Sequence, residues 1–205
     1  NYHFKEVVQK ANICVPEFYL SQDRKLFIMK RFDIKEDNTY LGFEDMCVLF
    51  VKNRDDKYEG TYEQIAKTIK TFVSPKYKKE SLENFFKMIV INFLLKNGDA
   101  HLKNFGLIYD DISNIKLAPA YDVVTTTVYI KNDIPALHFL GSKKWWKEKQ
   151  LLRFGIEFCD LTVKEVSELY SLCVRAKDEI IEEAKIYKND EHLSEFIDNL
   201  IGKWS

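Results

Sequence analysis

The chain has 205 residues, of which 46% are hydrophobic and 14% aromatic, and 31 basic side chains stand against 32 acidic ones. This composition excludes a disordered chain, and the length suffices for one or two domains with a sizeable core. A net charge of −1 gives no support to a general binder of nucleic acids or membrane surfaces.

No segment of the sequence favours a membrane or secreted protein. The longest mostly apolar run, Met88 to Leu95, contains Asn92 and is too short to span a bilayer. The chain begins without a secretory signal, and its four cysteines are scattered without a Cys-x-x-Cys pair. Reduced thiols are therefore expected, and with them a cytoplasmic protein that has no membrane partner.

The first part of the chain is predicted to be small and mixed. Apolar spacing and turn signals predict, in order, a helix over residues 4–11, strands over 15–20 and 26–29 around a turn at 21–24, a polar stretch at 33–39, a helix over 43–51 and a solvated loop at 52–57.

The remainder is predicted to be a mainly helical body with a central β-ribbon. The pattern predicts helices over residues 62–72, 79–96, 162–187 and 192–201, strands over 105–109 and 115–117, and irregular structure over 118–146. Apolar residues surround most of the helix at 79–96, so it should be central and buried. Asn97-Gly98 is a typical end for this helix.

A polar segment after that hydrophobic helix carries the most informative chemistry. It reads NGDAHLKN at residues 97–104, the candidate catalytic loop, and the predicted hairpin leads on to PAYD at residues 119–122, the candidate metal motif. Asp99, Asn104 and Asp122 thus supply acceptors for a cation or a proton at junctions between loops and strands. Functional residues are often held at such junctions.

Phosphoryl transfer by a kinase needs this set of groups. One carboxylate orients the acceptor hydroxyl and takes its proton, while an Asn and a second Asp hold Mg²⁺ on the nucleotide phosphates. The Asp-x₄-Asn spacing of Asp99 and Asn104 matches the catalytic loop of protein kinases. Mg²⁺ prefers few carboxylates together with phosphate oxygens and water, which suits Asn104 and Asp122.

Each of these residues also has an ordinary structural interpretation. Asn-Gly-Asp is a common turn sequence, His101 can be a hydrogen-bonded structural histidine, and Asp122 can cap a helix. The two motifs occur together at kinase spacing with a predicted hairpin between them, and this combination favours chemistry over a simple turn.

The motifs N-x-D-x-H-x-K-N-F at residues 97–105 and P-x-Y-D at 119–122 resemble those of HipA-type serine/threonine kinases from bacterial toxin–antitoxin modules. Residues 12–16 followed by 26–33 resemble the strand pair that leads into the family's nucleotide hinge, and further matches lie at 43–47 and 135–141. The resemblance runs from about residue 1 to residue 200.

The resemblance implies an α+β, protein-kinase-like fold of the HipA type, with a mainly helical C-lobe, a small β-ribbon and the end of a truncated N-lobe. Residues 1–32 would form the end of the N-lobe and the hinge. Residues 33–205 would form the helical C-lobe, which carries the catalytic loop and the metal motif.

The resemblance also implies catalytic roles, with ATP and Mg²⁺ as cofactors. Asp99 would be the general base or would orient the hydroxyl. Lys103 would neutralise charge on the transferred phosphoryl group, and His101 would line the same site. Asn104 and Asp122 would be the Mg²⁺ ligands.

Four more residues would bind the nucleotide by the same resemblance. Backbone groups around Lys30 and Phe32 would receive the adenine, Asp33 would reach the ribose, and Tyr121 would line the site. A strand that ends in Met-Lys-Arg-Phe is equally typical of any edge strand with a solvated end, so both interpretations of residues 29–32 stay open.

The sequence departs from the family pattern near its start. A kinase N-lobe supplies a flexible loop over the phosphates and a strand lysine that contacts them. No glycine precedes residue 42, and Lys5, Lys10 and Lys25 are poorly placed in sequence for that lysine's role. We therefore expect a split or truncated kinase, with the N-lobe supplied by another chain such as a separate subunit, and weak or no catalysis by this chain alone.

The expected function is growth arrest through phosphorylation of a host-cell protein, and the resemblance suggests aminoacyl-tRNA synthetases as the substrate class. A helix-turn-helix antitoxin of HipB type is the implied partner, with DNA contacted only indirectly. Two alternatives are a non-catalytic module that binds an antitoxin or partner subunit, and a lipid or small-molecule kinase. Lys103 and the Pro-Ala-Tyr-Asp context of Asp122 favour the HipA-like group over lipid kinases.

Overall fold

The computed structural model describes residues 2–23, 25–186 and 194–204, with side chains from residue 5 onward. Its α-helices are α1 (Tyr2–Lys10), α2 (Met46–Leu49), α3 (Tyr62–Phe72), α4 (Pro75–Leu94), α5 (Glu148–Phe158), α6 (Val163–Ala184) and α7 (Ser194–Trp204). Its strands are β1 (Phe18–Leu20), β2 (Phe27–Met29), β3 (Gly42–Asp45), β4 (Gly106–Tyr109) and β5 (Lys116–Leu117). In this part of the chain no helix is long and apolar enough to cross a membrane.

Helix α4 lies at the centre of the helical body, in agreement with its predicted burial. Phe85, Phe86, Ile89 and Val90 are fully buried, and the helix packs against α3, α5, α6 and β5. It begins at Pro75, before the predicted start at residue 79. Proline suits the first helical position because the N–H that it lacks would have no partner there.

The strands form two small antiparallel sheets. β1 pairs with β2 in a hairpin, as predicted, while β3, β4 and β5 form a second sheet in that order. The second sheet positions both candidate motifs, because the candidate catalytic loop leads into β4 and the candidate metal motif follows β5.

The helix predicted over residues 43–51 is wrong in its first part. Residues 42–45 are instead strand β3, in register with β4 from Gly42 opposite Tyr109 to Asp45 opposite Gly106. Pairing with a distant strand outweighs local helix preference here, which a single sequence cannot show. The Asp45 carboxylate then accepts the N–H of Val48 (3.1 Å) and starts the short helix α2.

The C-terminal helices differ from the prediction mainly at α5. No element was predicted over residues 147–161, yet α5 spans Glu148–Phe158 and packs on α4 and α6. Helix α6 begins at a capping box of Thr162 and Glu165, and its predicted end at residue 187 lies outside the described residues. The same holds for residue 24 of the predicted turn and for the predicted start of the last helix at 192.

Candidate active site

Buried polar side chains hold the candidate catalytic loop in place between α4 and β4. The Asn97 amide donates to Oδ1 of Asn92 (2.8 Å), and Oδ1 of Asn97 accepts the backbone N–H of Asp99 (3.1 Å). The N–H of Gly98 donates to the hydroxyl of Thr126 (2.7 Å), beyond the metal motif. Because Asn92 and Asn97 are buried and satisfy each other, this network favours one arrangement of the loop.

Asp99 is the solvent-facing carboxylate of this loop. Its side chain is 43% exposed, its Oδ1 accepts the hydroxyl of Tyr58 at 2.6 Å, and Nε2 of His101 lies 3.8 Å from the same oxygen. A cavity of about 450 Å³ opens beside it, with Asp133 and Lys143 among the lining residues. Asp99 can therefore accept a proton from a group that enters this cavity.

Asn104 and Asp122 lie side by side, although the β4–β5 hairpin separates them in sequence. Nδ2 of Asn104 donates to Oδ2 of Asp122 at 2.9 Å; Asn104 is buried, whereas Asp122 reaches the surface. Protein atoms around the Asp122 carboxylate displace water and raise its pKa, and the negative charge of Asp99 raises it further. A bound cation would relieve this accumulation of negative charge.

The donor chemistry of this pair fits Mg²⁺. Asn104 brings an amide oxygen and Asp122 a carboxylate, which are the hard donors that Mg²⁺ accepts when phosphate and water complete its shell. Within the ranges that the structure describes, no group of three His, Cys, Asp or Glu side chains could hold a metal ion. A Mg²⁺ ion at this pair would therefore depend on oxygens from a bound nucleotide.

Lys103 points toward the sheet. Its Nζ lies 2.9 Å from Oδ2 of Asp45, and this ion pair raises the pKa of Lys103 and keeps the ammonium charged. The Asp45 carboxylate is in turn fixed as the N-cap of α2. In the structure the ammonium of Lys103 is thus engaged by Asp45.

An aromatic cluster adjoins the metal motif. Phe32 and Tyr121 stack with ring centroids 5.3 Å apart, and Phe43 meets both rings edge-on. The Tyr121 hydroxyl donates to the backbone carbonyl of Lys103, which links the cluster to the catalytic loop. These three partly buried rings form an apolar cluster next to Asp122.

The other two predicted nucleotide residues are engaged elsewhere. Lys30 is exposed, pairs with Glu17 (3.2 Å) and donates its backbone N–H to the carbonyl of Glu17. Asp33 forms a close ion pair with Arg31, which lowers the pKa of the Asp33 carboxyl. The structure thus brings Phe32 to Tyr121 and the catalytic loop, while the side chain of Lys30 stays on the hairpin surface.

His101 is buried against the ring of Tyr58, with centroids 5.2 Å apart. Burial lowers the pKa of His101, so its imidazole is neutral near pH 7. In the described part of the chain its Nδ1 has no hydrogen-bond partner. His101 therefore lines the site as a neutral ring.

Comparison with known proteins decides the family. The family model for the HipA-like C-terminal domain matches residues 2–186. The chain belongs to this family. A relative from Sinorhizobium fredii, named "Putative kinase Y4dM", is 36% identical over 57% of this HipA-like chain and 28% of its own length. A Haemophilus influenzae relative, named "Putative kinase", is 39% identical over 37% of this chain and 21% of its own. The matched regions are thus about a quarter of these relatives.

Two solved structures share the fold. HipA of the Shewanella oneidensis MR-1 toxin–antitoxin system, solved with HipB and operator DNA, matches 99% of this chain and 53% of its own with a TM-score of 0.74 and 16% identity. The Helicobacter pylori proinflammatory kinase CtkA matches 88% of this chain and 82% of its own with a TM-score of 0.52 and 14% identity. The predicted α+β, kinase-like fold of the HipA type is therefore confirmed.

Sequence analysis missed two residues that touch the predicted site of this HipA-like domain. Tyr58, which contacts Asp99, belongs to no motif and directly follows the predicted solvated loop. Asp45, the partner of Lys103, was placed inside a predicted helix. An aspartate that precedes an apolar run is a typical N-cap, so Asp45 carried a usable signal and Tyr58 did not.

Lys5 also lies closer to the site than its sequence position suggests. It is 1% exposed, and its ammonium lies 5.9 and 5.3 Å from the ring centroids of Phe18 and Phe27. Burial lowers the pKa of Lys5 to about 8, and the charge of Asp122 partly opposes that shift. Helix α1 thus places a buried cation within electrostatic range of the candidate metal motif.

Proposed function

We propose that this chain is the C-terminal part of an ATP- and Mg²⁺-dependent serine/threonine protein kinase of the HipA type. Residues 1–32 would form the end of the N-lobe and the hinge, and residues 33–205 the C-lobe. One observation carries the proposal: Asp122 contacts Asn104 and lies close enough to Asp99 for the charge of Asp99 to raise its pKa, so that the groups that phosphoryl transfer needs come together.

The proposed roles on the phosphate side follow from the donor chemistry. Asn104 and Asp122 would hold Mg²⁺, which with ATP supplies charge neutralisation on the phosphoryl group. Asp99 would orient the acceptor hydroxyl and take its proton. His101 would line this space as a neutral ring, and Lys103 would add positive charge after release from Asp45.

On the nucleotide side, the aromatic surface of Phe32 and Tyr121 would receive the adenine. The backbone around Lys30 and Phe32 would supply hinge contacts. Asp33 would reach the ribose once it leaves Arg31. In the structure Phe32 stacks on Tyr121 and Asp33 pairs with Arg31. A bound nucleotide would have to rearrange these contacts.

Calorimetric titration of the 205-residue chain with Mg·ATP tests the proposal. We expect saturable binding to the wild-type chain that requires Mg²⁺ and is lost in Asp122→Ala, because that variant removes the only carboxylate of the proposed pair. Asp55→Ala, an exposed aspartate in the loop before α3, is the matched control and should bind like the wild type.

Binding that survives Asp122→Ala, or that does not need Mg²⁺, would contradict the assigned metal pair. Mg²⁺-dependent binding without any ATP hydrolysis would favour the alternative of a non-catalytic module that binds an antitoxin or partner subunit. Absence of binding by folded wild-type chain would assign the nucleotide site to this chain together with an N-lobe.

We further propose that an N-lobe, in the same polypeptide or in a separate subunit, covers the outer face of the β1–β2 hairpin. Tyr19 and Ile28 lie opposite each other there and are 56% and 51% exposed, and Leu26, two residues before Ile28, is 62% exposed. Contiguous exposed apolar side chains are typical of an interaction surface. The chain also matches only 53% of the Shewanella HipA.

The biological setting is proposed by analogy with the family. HipA of Shewanella is solved with HipB and operator DNA, which supports a helix-turn-helix antitoxin as partner here, with DNA contacted through it. The substrate would be a cytoplasmic protein, with aminoacyl-tRNA synthetases as the first class to test. Lipid or small-molecule acceptors are the less favoured alternative.

A further inference from the structure

Tyr58 makes a short hydrogen bond to the proposed base. Its hydroxyl donates to Oδ1 of Asp99 at 2.6 Å, and Nε2 of His101 faces that same oxygen from 3.8 Å. In the described residues no hydrogen bond or ion pair engages Oδ2 of Asp99. The two oxygens of the carboxylate are therefore not equivalent: Oδ1 is engaged by protein, whereas Oδ2 is not, and Asp99 lines the adjoining cavity.

The position of Tyr58 is fixed by bonds on both sides of its loop. The carbonyl of Lys57 accepts the N–H of Leu102 in the catalytic loop (3.1 Å), and the carbonyl of Gly60 accepts the N–H of His138 (3.1 Å). The ammonium of Lys143 donates to the carbonyl of Tyr58 itself (3.2 Å). These bonds fix the backbone at Tyr58, while its ring meets His101 edge-on and its hydroxyl contacts Asp99.

We propose that Tyr58 is a positioning residue, which fixes the rotation of the Asp99 carboxylate so that Oδ2 alone receives the proton of the acceptor hydroxyl. The inference rests on the proposed kinase function. In that step the acceptor O–H bond breaks, its proton goes to Oδ2, its oxygen bonds to the γ-phosphorus, and ADP leaves with the electron pair of the broken P–O bond. Tyr58 stays protonated throughout and gives up no proton.

The protonation state of Tyr58 suits this task. Burial and the carboxylate of Asp99 raise the pKa of Tyr58 to about 12, so the hydroxyl remains a donor at neutral pH. A tyrosine that only lined the cavity would not need a hydroxyl, and Phe would pack equally well against His101. The Tyr58→Phe change therefore isolates the hydrogen bond from the packing.

The contact is tested first in the resting chain, by NMR of protein labelled with ¹³C at tyrosine Cζ. The resonance of Tyr58 is assigned by its absence in Tyr58→Phe, and it should move in Asp99→Asn, which replaces the charged acceptor. Tyr109 is the internal control, because its hydroxyl donates to Glu44 (3.2 Å) away from the site, and its resonance should not move. An unchanged Tyr58 resonance in Asp99→Asn would overturn the proposal.

The consequence is tested by ATP hydrolysis, with water as the acceptor, and by Mg·ATP calorimetry. Tyr58→Phe should lower kcat about tenfold to a hundredfold and leave the affinity for Mg·ATP within about twofold, because orientation of the base changes and the nucleotide site does not. Tyr109→Phe should match the wild type in both. Unchanged kcat in Tyr58→Phe, or equal losses in affinity and turnover, would overturn the proposal.

The two proposals can fail separately. If the wild-type chain shows no ATP hydrolysis, even together with an N-lobe, the proposed kinase function is rejected. The ¹³C resonance of Tyr58 would still show whether Tyr58 contacts Asp99. Hydrolysis that Tyr58→Phe leaves intact would uphold the kinase and reject the positioning role.

Discussion

The surroundings of Asp122 disfavour the ionised form of its carboxyl group. Its pKa is raised by the protein atoms that displace water from its carboxylate and by the charge of Asp99, so the unfolded chain ionises first, near the ordinary aspartate pKa of about 3.9. Folding stability therefore falls as pH rises from that value through the folded pKa, and the loss persists at neutral pH. Asp122→Asn removes the charge and keeps an acceptor for Asn104. We expect a higher melting temperature than wild type at pH 7, and a difference that narrows toward pH 3.

Asp111 provides the control with the opposite sign. Hydrogen bonds from Ser113 and Asn114 lower the pKa of Asp111, so its contribution to stability is present at neutral pH and lost as pH falls through the folded pKa. Asp111→Asn should therefore melt below the wild type at pH 7. If Asp122→Asn also melts below the wild type at pH 7, the ionised Asp122 carboxylate does not destabilise the folded chain. Mg²⁺ with ATP should reduce the difference in melting temperature between Asp122→Asn and the wild type, because a bound cation stabilises the charged carboxylate of the wild type.

Among the elements, helix α5 packs closely against its neighbours at Gly155. A Cβ at this buried position would lie 2.5 Å from Cγ1 of Val166 and 2.8 Å from Cε2 of Phe86. Both neighbours are fully buried and have little room to move. Gly155→Ala should therefore destabilise the chain by about 1–3 kcal/mol in urea unfolding, although alanine is the better helix former.

Gly202 in α7 is the matched helical glycine, because a Cβ there meets nothing within 4 Å. Gly202→Ala should stabilise the chain by roughly 0.5–1 kcal/mol, the ordinary gain for this exchange in a helix. Equal effects of the two substitutions would show that close packing at Gly155 does not determine how Gly155→Ala changes the free energy of unfolding.

These elements also show which parts of the fold a sequence can predict. Helices α3, α4 and α6 have long apolar stripes, and their positions were predicted to within a few residues at the described ends. Helix α5 was not predicted. It contains Gly155, which packs closely against Phe86, a residue distant in sequence. Strand β3 was missed because its partner β4 is also distant.

The same distinction holds for the site. Asp99, Asn104 and Asp122 belong to local motifs, so spacing alone suggested that they meet, and Asn104 does contact Asp122. Tyr58 reaches Asp99 from 41 residues away, and Asp45 reaches Lys103 from 58 residues away. Contacts of this kind arise from tertiary packing and leave no pattern in the chain.

At the scale of the whole molecule, the outer face of the β1–β2 hairpin should control self-association. The hairpin presents Tyr19, Leu26 and Ile28 to solvent, and among the described residues its sheet has two strands, each with an open edge. Without the proposed N-lobe, this face can pair only with another copy of the chain. We expect sedimentation velocity to show concentration-dependent self-association of the wild-type chain and a monomer for Ile28→Lys.

Ile112→Lys is the control, because Ile112 is almost fully exposed in the turn before β5 and lies apart from the hairpin. It should associate like the wild type. Both substitutions replace exposed side chains, so the free energy of unfolding should change by no more than about 0.5 kcal/mol in either. Association of Ile28→Lys at the wild-type concentration would contradict the prediction and shift the search for the N-lobe contact to another face. Loss of association in Ile28→Lys alone would identify this hairpin as the surface on which to test an N-lobe.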